Sequence, residues 1–314
     1  MPLPAVGAFL PTLAVDAGEP VGDVVAAARH AEAVGLESAW VIDQLVTGGG
    51  MPVVESVVAL SAAAAVTTRL RLGLGVLVVP LRPVAWIAKQ VGSLQHLSGD
   101  RLILGVGVGG ERHDTSWAAA GVSPRGRGAR TDAALDALPA LLRGEPATTP
   151  DGDPGQRPVR LLPAGPVPPI VVGGGEPAMR RAVRIGAGWF PTVLTPEQLA
   201  AAVAGLGAMA AAAGRPRPPV TVGTIVAMTE DPELPGREAL VTRLGGPAFG
   251  LSRSLAEEAL VTGTRAEVEA SLAAYAEAGA DRVVASFVAG DWERQAGLLA
   301  EAAQVSSVAS SVPA

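Results

Sequence analysis

The sequence predicts an α/β fold, a single closed parallel (β/α)8 TIM barrel with insertions in its βα loops. Three observations carry this expectation. Eight short apolar runs, several of them rich in β-branched residues, alternate with segments of helical periodicity. The runs are almost continuously apolar, as strands covered on both faces are. No break in composition divides the 314 residues, a length normal for one such barrel. The barrel is expected over residues 1–303, with 304–314, rich in Ser, Val and Ala, as a flexible C-terminal tail.

Val6 to Leu10, closed by Pro11, is the first strand. Val21 to Val34 is the first helix, its apolar residues three and four apart and Gly35 standing where a C-cap places a glycine. Ser38 to Ile42 is the second strand, ending in Asp43 and Gln44, and the glycine loop Gly48 to Gly50 leads into an Ala-rich helix from Val53 to Val66. The third strand, Leu70 to Val79, contains Gly73 and Gly75, and glycine inside a strand marks a bulge or the close approach of a ligand. A helix over Pro83 to Leu97 precedes the fourth strand, Arg101 to Val108; the polar cluster Glu111 to Ser116 and a helix over Arg127 to Leu142 follow. The connection Gly144 to Pro166 is longer than most βα links and reads as a small hairpin or a covering loop.

Ile170 to Val172 is the fifth strand, with a helix from Pro177 to Ile185, and Gly188 to Val193 is the sixth. A helix over Pro196 to Ala213 and a seventh strand over Val220 to Met228 come next. Leu234 to Val261 is mixed and helical in part. Arg265 to Ala278 is an amphipathic helix ended by Gly279, Arg282 to Phe287 the eighth strand, and Trp292 to Ala303 the last helix.

Composition narrows the function. With no cysteine, disulfides and thiol chemistry are excluded. A formal charge of −6 with no basic block argues against nucleic-acid binding. The start MPLPAVGAFL has no basic n-region and no apolar run is long and glycine-poor enough to span a bilayer, so a soluble cytoplasmic protein is expected. Lys89 is the single lysine against many arginines, the mark of a GC-rich genome.

In a parallel barrel the functional residues sit where strands end. That rule selects the surroundings of Pro11, Asp43, Val76 to Pro80, Gly107 to Asp114, Gly173 to Glu176, Trp189 to Thr192, Ala227 to Thr229 and Phe287. Few of these are charged and several are glycine, which suits a bound planar cofactor better than hydrolysis. The segment PPIVVGGGEPAMRRAVRIGAGWFP, residues 168–191, reads as strand, glycine turn and helix. Proline at the first helical position and bare glycines let backbone N–H groups converge on an anion, usually a phosphate; the plain alternative is a tight βα connection.

Other motifs carry less. Gly105, Gly107 and Gly110 satisfy G-x-G-x-x-G, but on the fourth strand, with no compact helix opening at Gly110 and with Asp132 inside a helix instead of an acid on the next strand. No G-x-S-x-G elbow occurs. His30, His96 and His113 are scattered, without metal-ligand spacing. His30 and His96 read as structural, whereas His113 is either a proton donor or acceptor near a substrate or a solvated loop histidine. Asp43 is a polar anchor in the mouth or a cap on the next segment. Arg127, Arg130 and Asp132 read as a solvated, paired helix face. Trp117 and Trp189 either wall a pocket or pack in the core.

Five segments together resemble the luciferase-like monooxygenase family of flavin- or deazaflavin-dependent barrels. They are Arg69 to Gly110, RGARTDAAL from Arg127, PPIVVGGGEPAMRRA, GAGWFP from Gly186, and TGTRAEVEASLAAYAEAGADRVV from Thr262. Only 144–166 and 232–260 fall outside the resemblance. It implies a cofactor across the carboxyl ends of the strands, with a bulge and a non-proline cis peptide at Gly75–Val76 backing the ring. Gly107, Val108 and Gly109 would pass close to the cofactor, and Gly173, Gly174, Gly175 and Glu176 would hold its phosphate through backbone N–H groups. Many relatives have His where this chain has Gln44, and Asp where it has Ala187. Glutamine is no general base near neutral pH, so a proton step must use another group such as His113, water or the cofactor. The resemblance implies hydride transfer between coenzyme F420 and a small organic substrate, the coenzyme being common in organisms of the actinobacterial type that the GC-rich composition suggests. An FMN-dependent monooxygenase and a barrel with a binding role alone are the alternatives. A homodimer is expected, and substrate contacts are expected from Gln44 to Met51, Glu111 to Trp117 and Phe249 to Arg253.

Overall fold

A computed structural model describes residues 2–309, apart from 16–17, 48–49, 111–113, 154 and 247 and the side chains of 305–309. The strands are β1 (Ala5–Phe9), β2 (Ser38–Val41), β3 (Arg71–Leu74), β4 (Leu77–Val78), β5 (Leu102–Gly107), β6 (Ile170–Gly173), β7 (Gly188–Phe190), β8 (Thr221–Met228), β9 (Leu260–Gly263) and β10 (Arg282–Ser286). The helices are α1 (Val24–Val34), α2 (Ser56–Val66), α3 (Val84–Ser98), α4 (Asp114–Ala119), α5 (Arg127–Leu142), α6 (Glu176–Ile185), α7 (Pro196–Ala212), α8 (Arg237–Leu244), α9 (Arg253–Ala259), α10 (Arg265–Glu277) and α11 (Trp292–Ala309).

All strand pairs are parallel, in the order β7-β6-β5-β3-β2-β1-β10-β8-β9, with β4 beside β5. The sheet curls until β7 meets β8 through single bridges, Trp189 to Val220 and Thr192 to Gly223. Trp189 N donates to Pro219 O at 2.9 Å and Gly223 N to Pro191 O at 2.9 Å. Aromatic rings fill the concave interior, and glycines make room for them. A Cβ on Gly73 would stand 2.1 Å from Cδ2 of Trp40, and one on Gly223 3.2 Å from Cε2 of Phe190. The Trp40 and Phe190 rings meet edge to face at 5.2 Å, with Ile103, Val171 and Val284 packed around them.

Local signals explain the helix ends. Asp23 caps α1 by accepting from Val25 N and Ala26 N, and Gly35 ends it at φ 88°. Thr195 with Gln198 and Thr264 with Glu267 form capping boxes on α7 and α10.

Four expectations need correction. The third strand is not one run from Leu70 to Val79 but two, β3 and β4, parted at Gly75–Val76. The segment expected to be mixed and helical in part holds α8 and α9, but an unexpected strand, β9, starts at its end and pairs with residues 225–228 beyond the point where β7 leaves β8. Helix α4 forms within the expected polar cluster. The last helix runs past Ala303 to Ala309, into the stretch expected as a tail, and 310–314 lie outside the described residues. The long connection carries one antiparallel bridge, Ala147 to Val159, in keeping with a small hairpin.

Candidate functional site

The site begins with the break in the third strand. The Gly75–Val76 peptide is cis, as the resemblance implied, and beyond it β4 pairs with β5 through Leu77 with Val106 and Val78 with Gly107. The break directs Val76 inward among three glycines. A Cβ would lie 2.9 Å from Val76 Cγ1 at Gly105, 2.5 Å from Val76 Cγ2 at Gly107 and 2.9 Å from Val76 Cγ1 at Gly173. Gly107 and Gly173 are therefore required first by the packing of Val76, and Gly105 first by the Leu74 carbonyl oxygen, which a Cβ there would approach to 1.9 Å.

Above Val76 opens a cavity of about 410 Å³ at the carboxyl ends of five successive strands. Ile42, Asp43 and Gln44 line it after β2, and Gly75, Val76 and Val78 at the strand break. Gly107, Val108, Gly109 and Gly110 line it after β5, Gly173 and Gly174 after β6, and Phe190 and Thr192 after β7. Nine of the twelve residues singled out from the sequence thus meet around one space. Gly175 and Glu176 lie beyond its edge, and His113 lies outside the described residues.

Asp43 is buried and fully engaged. Its carboxylate accepts from Ser56 Oγ at 3.0 Å, from Val78 N at 2.8 Å, and from Arg82 Nη1 and Nη2 at 2.7 and 2.6 Å. The two-pronged Arg82 contact and the amide of Val78 tie the end of β2 to β4. Burial works against the charge of Arg82, but Asp43 and Glu55 more than offset it and hold the guanidinium pKa above its ordinary value. Four hydrogen bonds thus fall on the Asp43 carboxylate and join the end of β2 to α2, to β4 and to Arg82. Gln44 donates through Nε2 to Val46 O at 3.1 Å, and Ser116 of α4 accepts from Val46 N at 3.1 Å.

At the far end the amides divide unequally. Gly174 N donates inward to Phe190 O at 3.2 Å, while Trp189 Nε1 donates to Gly174 O at 2.7 Å. The expectation that all four residues 173–176 present amides to a phosphate is therefore corrected at Gly174, whose N–H is already taken. Gly175 and Glu176 open α6, where the first N–H groups have no partner in their own helix, and a Cβ on Gly175 would meet nothing within 4 Å. The Glu176 side chain is ion-paired with Arg180 one turn on.

The expected Arg127, Arg130 and Asp132 face does not pair within itself. Arg127 Nε donates to Gly109 O at 3.1 Å on the rim of the cavity, and Arg130 donates to the carbonyls of Arg125 and Ser123. Asp132 instead accepts from Arg181 of α6 at 2.8 and 3.2 Å. Trp117 packs with Val78 and Leu81 and Trp189 is 1% exposed, so both belong to packing and not to the cavity wall. Sequence reasoning missed Arg82, a lone arginine within VVPLRP, and the Trp189 indole as the group that holds the Gly174 peptide. Among the described residues no cluster of His, Cys, Asp or Glu is placed to hold a metal, and no helix is long and apolar enough to cross a membrane.

Comparison with known proteins agrees with this architecture. A family model of luciferase-like monooxygenases matches residues 5–307. An uncharacterized protein of Mycobacterium tuberculosis is 34% identical over 180 residues, covering 54% of this chain and 58% of the relative. The 4-hydroxyprotoasukamycin monooxygenase of Streptomyces nodosus subsp. asukaensis is 33% identical over 115 residues, covering 37% of this chain and 30% of that one. The matches thus span less than two thirds of the length of these relatives. Among solved structures, an F420-dependent secondary alcohol dehydrogenase in complex with an F420-acetone adduct superposes with a TM-score of 0.79 at 18% identity, covering 96% of this chain and 98% of the other. The FMN-bound oxygenating constituent of 3,6-diketocamphane monooxygenase from Pseudomonas putida superposes with a TM-score of 0.72 at 15% identity, covering 96% and 98%. A match that leaves only the first four and last seven of 314 residues outside it places the chain in the luciferase-like monooxygenase family.

Proposed function

We propose that this protein is an oxidoreductase that moves hydride between coenzyme F420 and a small organic substrate, on a (β/α)8 barrel whose seam is the bridged β7–β8 edge. The observation that carries the reading is the 410 Å³ cavity itself, whose walls offer backbone, apolar side chains and the uncharged polar side chains of Gln44 and Thr192, while its one carboxylate is held by four donors. Side chains so engaged position a bound group, and that group carries the chemistry.

The residues fit a planar ring with an anionic tail. Val76, Gly107, Val108 and Gly109 would hold the ring, and the Gly175 and Glu176 amides at the start of α6 would hold a phosphate. Asp43 and Arg82 keep β4 against β2, so that Val76 stays in register with Gly107 and Gly173. Trp189 orients the Gly174 peptide. A deazaflavin held by these residues would supply the hydride chemistry. Gln44 hydrogen-bonds but does not exchange a proton near neutral pH, so the proton that accompanies the hydride passes through another group at the mouth or through water.

The second reading is an FMN-dependent monooxygenase, favoured by the match to a curated monooxygenase at 33% identity. Titration of the purified protein with F420 and separately with FMN, followed by fluorescence quenching, tests both. Saturable quenching of F420 with none of FMN supports the first reading and the reverse supports the second. Binding of neither refutes a redox role.

A further inference from the structure

The cavity above Val76 occupies only part of the strand ends. A second cavity, of about 340 Å³, opens over β1 and β10 and shares Ile42 with the first. Its walls include the apolar side chains of Phe9, Phe249, Phe287, Val288 and Trp292, which belong to no motif in the sequence, beside polar groups that include Arg243. Of the segments expected to meet substrate, Phe249 alone contributes to it among the described residues.

The wall on the β10 side is built to keep its shape. Gly290 adopts φ 81°, and a Cβ there would stand 2.3 Å from Asp231 Oδ2. Asp231 is 2% exposed and accepts from Asp291 N at 2.9 Å and from Gln295 Nε2 at 3.0 Å. Gln295 in turn exchanges hydrogen bonds with the backbone of Met228 at the end of β8. Arg243 Nη1 donates to Val288 O at 3.0 Å, and Trp292 Nε1 donates to Phe9 O at 3.0 Å. These polar groups serve the wall itself. Ser286, half-buried at the end of β10, is different, for its hydroxyl makes no hydrogen bond among the described residues although it lines the cavity. At the outer rim stand the exposed carboxylates Glu19 and Glu233.

We propose that this second cavity binds the body of a neutral, apolar substrate carrying one oxygen function, an alcohol or ketone, which hydrogen-bonds Ser286 Oγ. The inference rests on the oxidoreductase reading for the word substrate, and the shared Ile42 sets the two cavities side by side. At the ~30 Å³ that a water takes in the liquid, the space holds roughly ten non-hydrogen atoms. The apolar side chains of the wall reward each buried methylene, and the carboxylates of Glu19 and Glu233 outnumber the one guanidinium, Arg243, so that the net charge about the cavity opposes an anion.

The test uses the full chain without cofactor and a homologous series of cycloalkanones, with cyclohexanecarboxylate as the charged comparison. Binding is read by ligand-observed NMR, and F420 and FMN are titrated in parallel. Affinity is expected to rise by about fourfold per added methylene until the cavity is full and then to fall. The carboxylate is expected to bind at least about tenfold more weakly than the ring ketone of similar size. Ser286→Leu and, as a second filling variant, Ala289→Leu are expected to weaken ketone binding by about tenfold while the affinity for the redox cofactor stays within about twofold. Equal binding of ketone and carboxylate, affinity independent of ring size, or ketone binding unchanged in both variants would overturn the proposal. Ketone binding without binding of either redox cofactor upholds the cavity assignment and sinks the oxidoreductase reading. Cofactor binding without ketone binding does the opposite.

Discussion

Removing the Asp43 carboxylate by Asp43→Ala tests whether this residue anchors the mouth. The substitution leaves Val78 N and Ser56 Oγ without their acceptor and leaves the Arg82 guanidinium, whose side chain is 18% exposed, with only the longer 3.5 Å contact to the half-exposed Glu55. Breaking a buried pair from one side costs about 3–5 kcal/mol, because the surviving charge keeps its desolvation penalty without its partner. An unfolding entropy of about 0.7 kcal/mol/K for a chain of this length converts the loss to a fall in Tm of roughly 4–7 °C. Scanning calorimetry measures it directly. Adding Arg82→Met to Asp43→Ala removes the stranded charge, so the double variant should lose less than the sum of the singles by about 2 kcal/mol. Additivity within about 0.5 kcal/mol, or a single-variant shift below about 1 °C, would refute the anchoring argument. Loss of turnover with an unchanged Tm would instead return Asp43 to a direct chemical role.

Two further expectations follow from the geometry. Gly107→Ala places a methyl 2.5 Å from Val76 Cγ2 and must displace the floor of the cavity, with an overpacking cost of about 1–3 kcal/mol and cofactor affinity reduced by about tenfold or more; a fluorescence titration indistinguishable from the parent contradicts that role for Val76. Glu32 accepts from the amides of Thr68, Arg69 and Leu70 at 2.9, 2.7 and 2.8 Å. Burial raises its pKa, but those hydrogen bonds prevail and lower it from 4.5 to about 2. A carboxyl held down in the folded state adds stability that is present above its unfolded pKa and lost as pH falls toward the folded one. Denaturant unfolding should therefore show a loss between pH 4.5 and about 2 that is shallower in Glu32→Gln, and equal slopes in the two proteins would contradict it.

The strand–helix alternation was legible because local periodicity reports which face of each segment is buried, and tight caps such as Asp23, Gly35 and Thr195 mark the ends. Most of the candidate site was legible for a related reason. Parallel strands bring their carboxyl ends to one side, so residues after β2, β5 and β6 meet however far apart they lie in the chain. Strand β9 was not legible. The run LVTG has no alternation of its own and pairs because β8 outlasts β7 and leaves an edge to be covered.

The sequence by itself determined the class of fold and the glycines that line the cavity at the carboxyl ends of the strands. Tertiary structure alone decided which partners the polar groups take: Arg82 for Asp43 across 39 positions, Phe190 O for the Gly174 amide, and Gly109 O for Arg127. It also decided that the strand ends hold two adjoining cavities. Burial patterns repeat along a chain and can be read locally, whereas a single hydrogen bond or the shape of a void depends on segments that only folding brings together.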